Sequence, residues 1–485
     1  MEFETIIGLE VHAQLMTKSK MYCRCSADYS SDTPNTHVCP LCMGMPGTLP
    51  TLNKQAVEFG IMTALALNCE ISEFTKFDRK NYHYPDLMKG YQISQFDYPV
   101  GIKGWMEIEA GGQKKRAGIN RVHLEEDVAK LSHHPVENGE SYSLVDINRS
   151  GMPLMEIVGE PDLRSPEEAR EYLIKLRSIL QYLGVSNANM EEGSFRCDAN
   201  ISIRPVGTTE FLSKVEVKNM NSFKAVYKAL EYEAERQRRA FIKGEKILQE
   251  TRGWVEEPGK TVSQRSKEYA HDYRYFPEPD LPPLTISRDW VEQVRARLPE
   301  LPEARRDRFM TQYALPLYDA NLLTVSKAMA EYFEKAVKAS KNIQPKEIAN
   351  WLLGPVSGII NADSADIEKF SSQVSCQRLV HLLEVNAAGT VSTASAKAVL
   401  EEMYKSGRDA DTIISEQGLG QISDSAEIEK YAVEIIAANP QAVADYRAGK
   451  EASLKFLVGQ MMRLTRGRTN PNMAAELIKK KLEEG

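Results

Sequence analysis

The chain has 485 residues, 42% of them hydrophobic and 27% charged, with a formal net charge of -7. At about 150 residues per domain, this length predicts about three domains. No apolar run approaches the ~20 residues of a membrane helix, and the N-terminus lacks the basic region and apolar core of a signal peptide. We therefore expect a cytoplasmic protein. The acidic balance argues against wholesale coating of nucleic acid but allows a local basic patch.

The first predicted strand, Thr5 to Leu15, alternates aliphatic residues with Glu10, His12 and Gln14. Side chains two apart in a strand share a face, so the acid and the imidazole can both reach one metal ion. A structural histidine beside a surface glutamate is the alternative interpretation.

Four cysteines follow this strand in two close pairs, Cys23 with Cys25 and Cys39 with Cys42. This spacing is typical of zinc ligands, and four thiolates would form a closed tetrahedral site that holds a loop and does no chemistry. Four free buried thiols are the main alternative, and disulfides are the lesser one.

Acidic and polar residues recur on two further predicted strands. Residues 122–130 place His123, Glu125 and Asp127 on one face, and residues 144–158 place Asp146, Asn148 and Ser150 on one face before Gly151 and Pro153 break the strand and Glu156 follows. Clustered carboxylates repel unless a cation joins them, and oxygen-rich sites suit Mg²⁺. We therefore predict a cation site on these strands.

Two later strands carry a row of charged and amide side chains. Arg196, Asp198, Asn200, Ser202 and Arg204 alternate with small apolar residues, and Lys214, Glu216 and Lys218 alternate with valines. Because Asp, Asn and Arg are depleted in strands, we interpret the row as a polar floor for a charged ligand. A sheet with one wet face is the alternative. The basic groups suited to phosphate oxygens are Arg149, Arg196, Arg204 and Lys218.

Helix and loop signals complete the predicted organisation. One helix begins at the Ser165 cap and ends at Gly184, and another runs from Ser222 to Gly244. Residues 77–95, rich in polar aromatics, form either a surface loop or the lining of a cavity or polar passage. Residues 249–281 are predicted to form a long loop that covers the sheet.

The pattern changes from alternating to helical after the proline-rich stretch Pro277 to Trp290. With a second boundary near Gly407, the predicted domains are residues 1–290, 291–407 and 408–485. The fold class is thus α+β: a mainly antiparallel sheet domain with helices, then an all-α domain and a small helical tail. The basic tail helices are typical of phosphate-backbone binding, although a solvated charged face is equally ordinary.

Several motifs of known chemistry are absent. The chain has no G-x-x-x-x-G-K-[ST] loop, no G-x-G-x-x-G after a strand, no nucleophile elbow and no Gly/Ser-rich amidase stretch. A nucleotide, if bound, must therefore sit on side chains and metal.

A family resemblance rests on long motifs that occur in order. They are GLEVHAQL, the two cysteine pairs, FDRKNYHYPD with KGYQISQ, DINRSGMPLMEIV, GSFRCDANISIRP, KVEVKNMNSF and DYRYFPEPDL. Together they closely resemble the B subunits of the aspartyl/glutamyl-tRNA(Asn/Gln) amidotransferases over nearly the whole chain. The chain departs from that family at Met88, where proline is typical, and at Gln264, where methionine is usual. Both departures concern local loop shape only.

The resemblance implies a cradle domain with a kinase-like site, a helical domain and a tail that grips tRNA. It implies ATP-dependent phosphorylation of the side-chain carboxylate of Glu or Asp misloaded on tRNA-Gln or tRNA-Asn. Ammonia then displaces the phosphate. The ammonia would come through a channel from an amidase partner, the A subunit, and a small C subunit would hold the heterotrimer together.

The resemblance and the residue patterns together give expected roles. ATP, Mg²⁺ and a structural Zn²⁺ are the expected cofactors. Glu10, His12 and Glu125 are expected to bind Mg²⁺, and Cys23, Cys25, Cys39 and Cys42 to bind Zn²⁺. We expect catalytic roles for Glu10, His12, Glu125, Arg149, Ser150 and Asp198, and cofactor contacts from Arg196, Asn200, Arg204, Lys218 and Glu156. Lys80, Asp86 and Lys89 would line the ammonia path.

Two other functions remain open from the sequence. A free-standing carboxylate–amine ligase would act on a small acid with free ammonia and need neither tRNA nor partners. A zinc-stabilised RNA-binding scaffold would have no activity at all. The scaffold leaves the acidic strand faces unexplained, because carboxylates repel phosphates.

Overall fold

The computed structural model describes residues 2–29, 32–135, 141–208, 212–266, 273–420, 425–465, 469 and 471–484. It divides into two compact units, Met1–Leu301 and Pro302–Gly485. The predicted α+β class is confirmed, because the first unit combines a large sheet with helices and the second is helical. The second unit has two separate hydrophobic cores, one within residues 309–414 and one within residues 428–482. Its division into two domains at residue 407 stays a prediction.

The first unit contains all the strands that the structure describes. They are β1 (Phe3–Gln14), β2 (Glu70–Ile71), β3 (Phe74–Thr75), β4 (Asp78–Asn81), β5 (Tyr91–Ser94), β6 (Gly101–Ala110), β7 (Gln113–Glu126), β8 (Lys130–Pro135), β9 (Ser141–Asp146), β10 (Pro153–Gly159), β11 (Phe195–Pro205), β12 (Val215–Lys218), β13 (Glu250–Val255), β14 (Lys260–Ser266), β15 (Phe276–Pro277) and β16 (Leu284–Thr285). Its helices are α1 (Lys54–Ala66), α2 (Pro166–Leu183), α3 (Phe223–Ile242) and α4 (Arg288–Arg295), with a 3-10 turn at Ile147–Arg149.

The main sheet has the strand order β14–β13–β12–β11–β1–β10–β7–β6–β2 within the described residues. Its neighbours pair antiparallel except β12 and β13, which are parallel. Smaller sheets join β15–β4–β5, β16–β3 and β8–β9. The long central strand β1 therefore has β11 on one side and β10 on the other, and both pairings are antiparallel.

The period-two pattern of β1 separates a core face from a polar face. Ile7, Leu9, Val11 and Ala13 are fully buried in the hydrophobic core. The intervening side chains of Glu10, His12 and Gln14 are only half-buried. The two predicted helices, α2 and α3, begin at their predicted caps. The Ser165 side chain accepts a hydrogen bond from the Glu168 amide at the start of α2, and Gly184 ends that helix in a left-handed conformation.

Two local predictions are wrong. Residues 249–281 do not form one long covering loop, because β13 and β14 pair as a hairpin at the edge of the main sheet. The Pro-Gly turn at Pro258 and Gly259 joins two short alternating runs, which is a hairpin signal. The predicted strand face through Asp146, Asn148 and Ser150 is also wrong, because the Asp146 carboxylate accepts a hydrogen bond from the Asn148 amide and caps the 3-10 turn. Asp146, Asn148 and Ser150 therefore do not share a strand face.

Residues 77–95 contain two short strands rather than a plain surface loop. β4 and β5 pair antiparallel, and Ser94 and Gln92 of β5 hydrogen-bond to the end of β7. Asp127 lies just beyond the last residue of β7, so it does not continue that strand face.

The second unit contains the helices α5 (Pro302–Gln312), α6 (Leu317–Thr324), α7 (Lys327–Ala339), α8 (Pro345–Trp351), α9 (Ser357–Ala362), α10 (Ile367–Gln373), α11 (Cys376–Ala387), α12 (Thr393–Ser406), α13 (Ala410–Glu416), α14 (Ser425–Ala438), α15 (Pro440–Arg447), α16 (Ala452–Leu464) and α17 (Pro471–Glu484). A π-helical segment, Leu352–Val356, joins α8 to α9. Across the part of the chain that the structure describes, every helix is too short or too polar to span a bilayer.

A buried ion network fixes α3 against the edge hairpin. Glu233 of α3 is fully buried. Its carboxylate accepts hydrogen bonds from Arg236 Nη2 at 2.6 Å and Thr261 Oγ1 at 2.9 Å, and Arg252 Nε lies at 3.5 Å. The network joins the helix to both β13 and β14.

Replacing Glu233 by alanine tests this network. Removing one partner of a buried ion pair leaves the others without compensation, so Glu233→Ala should lower the free energy of unfolding by about 3–5 kcal/mol. The control Glu235→Ala breaks only the exposed pair with Arg239 and should cost less than about 1 kcal/mol. Urea unfolding followed by tryptophan fluorescence measures both. Equal effects of the two variants would contradict the network's role.

Candidate active site

A row of polar side chains crosses four strands on the polar face of the main sheet. Residues directly opposite each other on antiparallel strands share a face. His12 on β1 lies opposite Arg196 on β11 and opposite Glu156 on β10. Glu156 in turn lies opposite His123 on β7. The strand register thus brings together four residues that are far apart in sequence.

Two buried carboxylates and two imidazoles meet at the centre of this row. His12 Nε2 lies 3.4 Å from Glu156 Oε2 and 3.6 Å from Glu125 Oε1. His123 Nε2 lies 3.1 Å from Glu156 Oε2. Glu125, Glu156 and His123 are all buried, with relative exposures of 2%, 7% and 3%. We call His12, His123, Glu125 and Glu156 the acid–imidazole cluster.

Three members of this cluster can hold a metal ion. One ligand atom from each of His12, Glu125 and Glu156 lies within 4.8 Å of the others. Ser94 Oγ donates a hydrogen bond to Glu125 Oε2 at 3.1 Å and so orients that carboxylate. In addition, the buried Nδ1 of His123 has no hydrogen-bond partner among the described residues.

Electrostatics in the cluster favours a positive charge. Burial disfavours a charged His12, but attraction by Glu156 and Glu125 outweighs it and raises the pKa of His12 to about 9. Burial also disfavours a charged Glu156, yet His123 and His12 hold the pKa of Glu156 well below its ordinary value. An imidazolium thus balances the carboxylates at neutral pH. A bound cation could take over that balancing charge.

Glu10 lies on the same face of β1 as His12, two residues before it. Glu10 is opposite Asp198, and its Oε1 accepts a hydrogen bond from Asn200 Nδ2 at 2.9 Å. Lys218 Nζ pairs with Asp198 and, at 3.2 Å, with Glu216. Glu10 therefore lies outside the three-residue group whose ligand atoms converge, and Glu156 occupies the place expected for it. A role for Glu10 in metal binding stays a prediction.

Arginine side chains flank the other end of the row. Arg196 Nη2 donates to Asp127 Oδ2 at 2.9 Å, and Gln14 Nε2 donates to the same oxygen at 2.8 Å. Arg149 donates to the carbonyl oxygens of Val128 and Ala129 at 2.9 and 2.8 Å. The side chain of Arg196 remains 40% exposed. Arg196 is thus held in place with part of its guanidinium open to a ligand.

Two residues with expected site roles, Arg204 and Ser150, lie elsewhere. Arg204 is opposite Glu4 near the other end of β11 and donates to its carboxylate at 2.6 Å. Eight residues separate it from Arg196, which corresponds to roughly 27 Å along a strand. Ser150 is buried, and its hydroxyl faces the carbonyl oxygen of Cys42 at 3.4 Å. The structure brings neither residue to the acid–imidazole cluster.

A cavity of about 650 Å³ opens beside Glu10. Its lining includes Gly8, Glu10, Asn200, Ser202 and Lys214. This volume is within the range of small-molecule sites, about 300–1,000 Å³. The cavity therefore lies beside Glu10, two residues along β1 from the His12 position of the polar row.

Lys80 approaches the cluster from β4. Burial disfavours its charged form, but attraction by Glu125, Tyr275 and Glu156 raises the pKa of Lys80 above its ordinary value. Its Nζ also lies 5.0 Å from the centre of the Tyr273 ring. Lys80 is therefore a fixed positive charge that faces the two buried carboxylates.

Two further residues of the same segment contact the end of β7. Lys89 Nζ forms an ion pair with Glu126, and the carbonyl oxygen of Asp86 accepts the Ala129 amide at 2.9 Å. These contacts support the interpretation that residues 77–95 line part of the site.

The four clustered cysteines converge as predicted from their spacing. Their sulfur atoms all lie within 4.8 Å of one another, and Cys39 Sγ is 3.7 Å from Cys42 Sγ. Four thiolates around Zn²⁺ at about 2.3 Å are separated by about 3.8 Å, so the residues fit a zinc ion. All four are unbridged in the structure.

His123 and Asp127 are the main site residues to which sequence reasoning assigned no role. The signal for His123 was available, because it alternates with Glu125 on the same strand. For Asp127 no strand signal applies, since it lies beyond the end of β7. Only the tertiary structure shows that Asp127 holds Arg196.

Comparison with known proteins agrees with this architecture. A family model described as "GatB/GatE catalytic domain" matches residues 5–292, and one described as "GatB domain" matches residues 331–482. The first match contains the acid–imidazole cluster, the flanking arginines and the four cysteines.

Full-length relatives extend the similarity to the whole chain. A protein of Dehalococcoides mccartyi (strain CBDB1) is 63% identical over 490 residues, covering 100% of both chains. One of Carboxydothermus hydrogenoformans is 53% identical over 481 residues, covering 99% of both. Each is named as the B subunit of an aspartyl/glutamyl-tRNA(Asn/Gln) amidotransferase. The chain therefore belongs to the GatB/GatE family.

Proposed function

We propose that this chain is the activating subunit of a tRNA-dependent amidotransferase. It would use ATP to phosphorylate the side-chain carboxylate of Glu-tRNA(Gln) or Asp-tRNA(Asn) and then amidate it with ammonia. The observation that carries this proposal is the acid–imidazole cluster on the polar sheet face, with an open arginine beside it and a cavity of small-molecule size at Glu10 on the same central strand. The names of the full-length relatives support the same reaction.

The cluster is suited to Mg²⁺. Glu125 and Glu156 supply the carboxylate oxygens that Mg²⁺ prefers, with His12 as a third ligand. His12 Nε2 lies 3.4 and 3.6 Å from the two carboxylates, so all three side chains would be able to hold one ion. When bound, Mg²⁺ would neutralise charge on the transferring phosphate.

The chain's own residues would position the reactants. Phosphoryl transfer depends mainly on alignment and charge stabilisation. Arg196, held by Asp127, would bind phosphate oxygens from one side of the cluster. Lys80 would supply positive charge from the other side. The cavity beside Glu10 and Asn200 would hold the nucleoside, so that its phosphates extend along the polar row.

The chemistry then follows in two steps. A carboxylate oxygen of the misloaded amino acid attacks the γ-phosphorus, and the bond to ADP breaks. Ammonia next attacks the acyl carbon and phosphate leaves. Lys80, Asp86 and Lys89 are proposed to line the route by which ammonia enters from an amidase partner, the A subunit, with a small C subunit completing the complex. Exposed Lys455 and Arg463 on α16 are proposed to contact tRNA phosphates.

The two alternative functions fit the observations less well. A scaffold that only binds RNA has no need of two buried carboxylates that converge on an imidazole. A free-standing ligase has no need of the C-terminal residues 331–482, which match a second family model.

The reaction itself is the first test. The chain would be assembled with its amidase and small partner chains and supplied with Glu-tRNA(Gln), ATP and ammonium chloride in place of glutamine. Glu125→Gln should lower the rate of Gln-tRNA formation at least about 100-fold, because it removes a ligand charge. The control Glu109→Gln changes an exposed acid on β6 and should leave the rate unchanged. Full activity of Glu125→Gln with unchanged Mg²⁺ dependence would refute the metal assignment.

The pH dependence of Mg²⁺ binding provides a second test. A metal ligand must lose its proton, so the His12 imidazolium competes with the cation below its pKa of about 9. Mg²⁺ affinity measured by calorimetry should therefore rise about tenfold per pH unit from pH 6.5 to 8.5. His12→Gln should bind more weakly, with a flatter pH dependence. The control His133→Gln, at an exposed position of β8, should follow the unmodified chain. An unmodified chain whose affinity does not change with pH would argue against His12 as a ligand.

A further inference from the structure

A buried lysine next to the four cysteines lacks an acidic partner. The side chain of Lys20 is fully buried. Its ammonium group donates to the carbonyl oxygens of His37 at 2.8 Å and Ile147 at 3.4 Å. Both partners are neutral. Within the described residues, no carboxylate lies within the 4.0 Å of an ion pair with Lys20.

The acid beside the lysine stem, Glu126, also serves a second lysine. A Cβ placed on Gly151 would lie 3.6 Å from Lys20 Cδ and 3.8 Å from Glu126 Oε2, so this carboxylate is close to the lysine stem. Glu126 is, however, paired through Oε1 with Lys89, and the same oxygen accepts the Ile93 amide at 3.0 Å, so two lysines lie near the single negative charge of this carboxylate. A buried ammonium is unfavourable unless a negative charge compensates it. The compensating charge must therefore come from another group.

The cysteine cluster is the adjacent group that can carry that charge. The same Gly151 position lies 3.9 Å from Cys42 Cβ, so Lys20 and Cys42 pack around one glycine. The Lys20 backbone amide also donates a hydrogen bond to the Cys25 carbonyl oxygen at 3.0 Å. This bond holds the backbone of Lys20 beside the segment that carries Cys23 and Cys25. Four protonated thiols are neutral, but four thiolates around Zn²⁺ leave two net negative charges.

We propose that Lys20 is the counter-ion of a zinc–tetrathiolate centre formed by Cys23, Cys25, Cys39 and Cys42. The ammonium group neutralises part of the centre's excess negative charge in a buried setting. It also ties the cysteine loop, through His37, to the 3-10 turn, through Ile147. With a loop of four neutral thiols, the buried ammonium would have only the single negative charge of Glu126, which already pairs with Lys89.

Zinc affinity measures this role directly. Lys20→Met in the full chain keeps a long apolar stem and removes the charge. Outer-shell partners typically change metal affinity 10–100-fold. The chelator concentration that removes half of the zinc should therefore be at least about tenfold lower for Lys20→Met than for the unmodified chain. The matched control Lys18→Met changes an exposed lysine of the same segment and should retain zinc like the unmodified chain. Equal zinc affinity of the two variants would overturn the proposal.

A second measurement uses the unmodified chain and does not depend on the variant folding. Zinc is withdrawn stepwise with a chelator, and each sample is treated briefly with an amine-reactive acetylating reagent. Labelling of Lys20, read by mass spectrometry, should rise in proportion to zinc loss, because the ammonium cannot stay buried once its counter-charge is removed. A Lys20 that remains protected after complete zinc removal would overturn the proposal.

Discussion

Repulsion between two buried carboxylates is the constraint on which the rest of the site depends. Glu125 and Glu156 reach the same point from adjacent strands, and each is almost inaccessible to water. Such an arrangement is stable only if positive charge lies between or beside them. His12 and Lys80 supply that charge from two different strands. In a catalytic cycle, a divalent cation would share the task.

The sheet sets the geometry, and the segments at its end keep it in place. The pairing of β1 with both β10 and β11 decides which polar residues become neighbours. Hydrogen bonds from the segment between the two cysteine pairs hold the 3-10 turn Ile147–Arg149, which precedes β10. The His37 amide donates to Asn148 Oδ1 at 2.8 Å, and Asn148 Nδ2 donates to the Thr33 carbonyl at 2.9 Å. A structural metal in that loop would therefore stabilise the point at which the strand carrying Glu156 begins.

Period-two alternation was enough to predict much of this site from the sequence. It put Glu10 and His12 on one face of β1, and it marked Glu125 and Glu156 as acids on the polar faces of other strands. The alternation does not specify strand register, because register depends on long-range pairing. For that reason the prediction ranked Glu10 above Glu156, although the register places Glu156 directly opposite His12.

Two other differences between prediction and structure have identifiable causes, one in strand pairing and one in a local cap. Arg204 shares the face of Arg196, but the antiparallel pairing carries it to Glu4 near the other end of the strand. The capping side chain of Asp146 ended a strand that the alternating pattern had extended through Ser150. The helices were easier to predict, because the Ser165 and Ser222 caps and Gly184 act within one turn of chain. The four cysteines were predictable because zinc-ligand spacing is itself local.

The central claim is that His12 and the two buried carboxylates hold one divalent cation. Mn²⁺ can replace Mg²⁺ as a paramagnetic probe, and electron spin echo envelope modulation detects a nitrogen bound to it. The account predicts ¹⁴N modulation in the unmodified chain that is strongly reduced in His12→Gln and unchanged in His381→Gln, whose histidine pairs with Asp411 on the helical unit. Absence of modulation in the unmodified chain, or full modulation in His12→Gln, would contradict it.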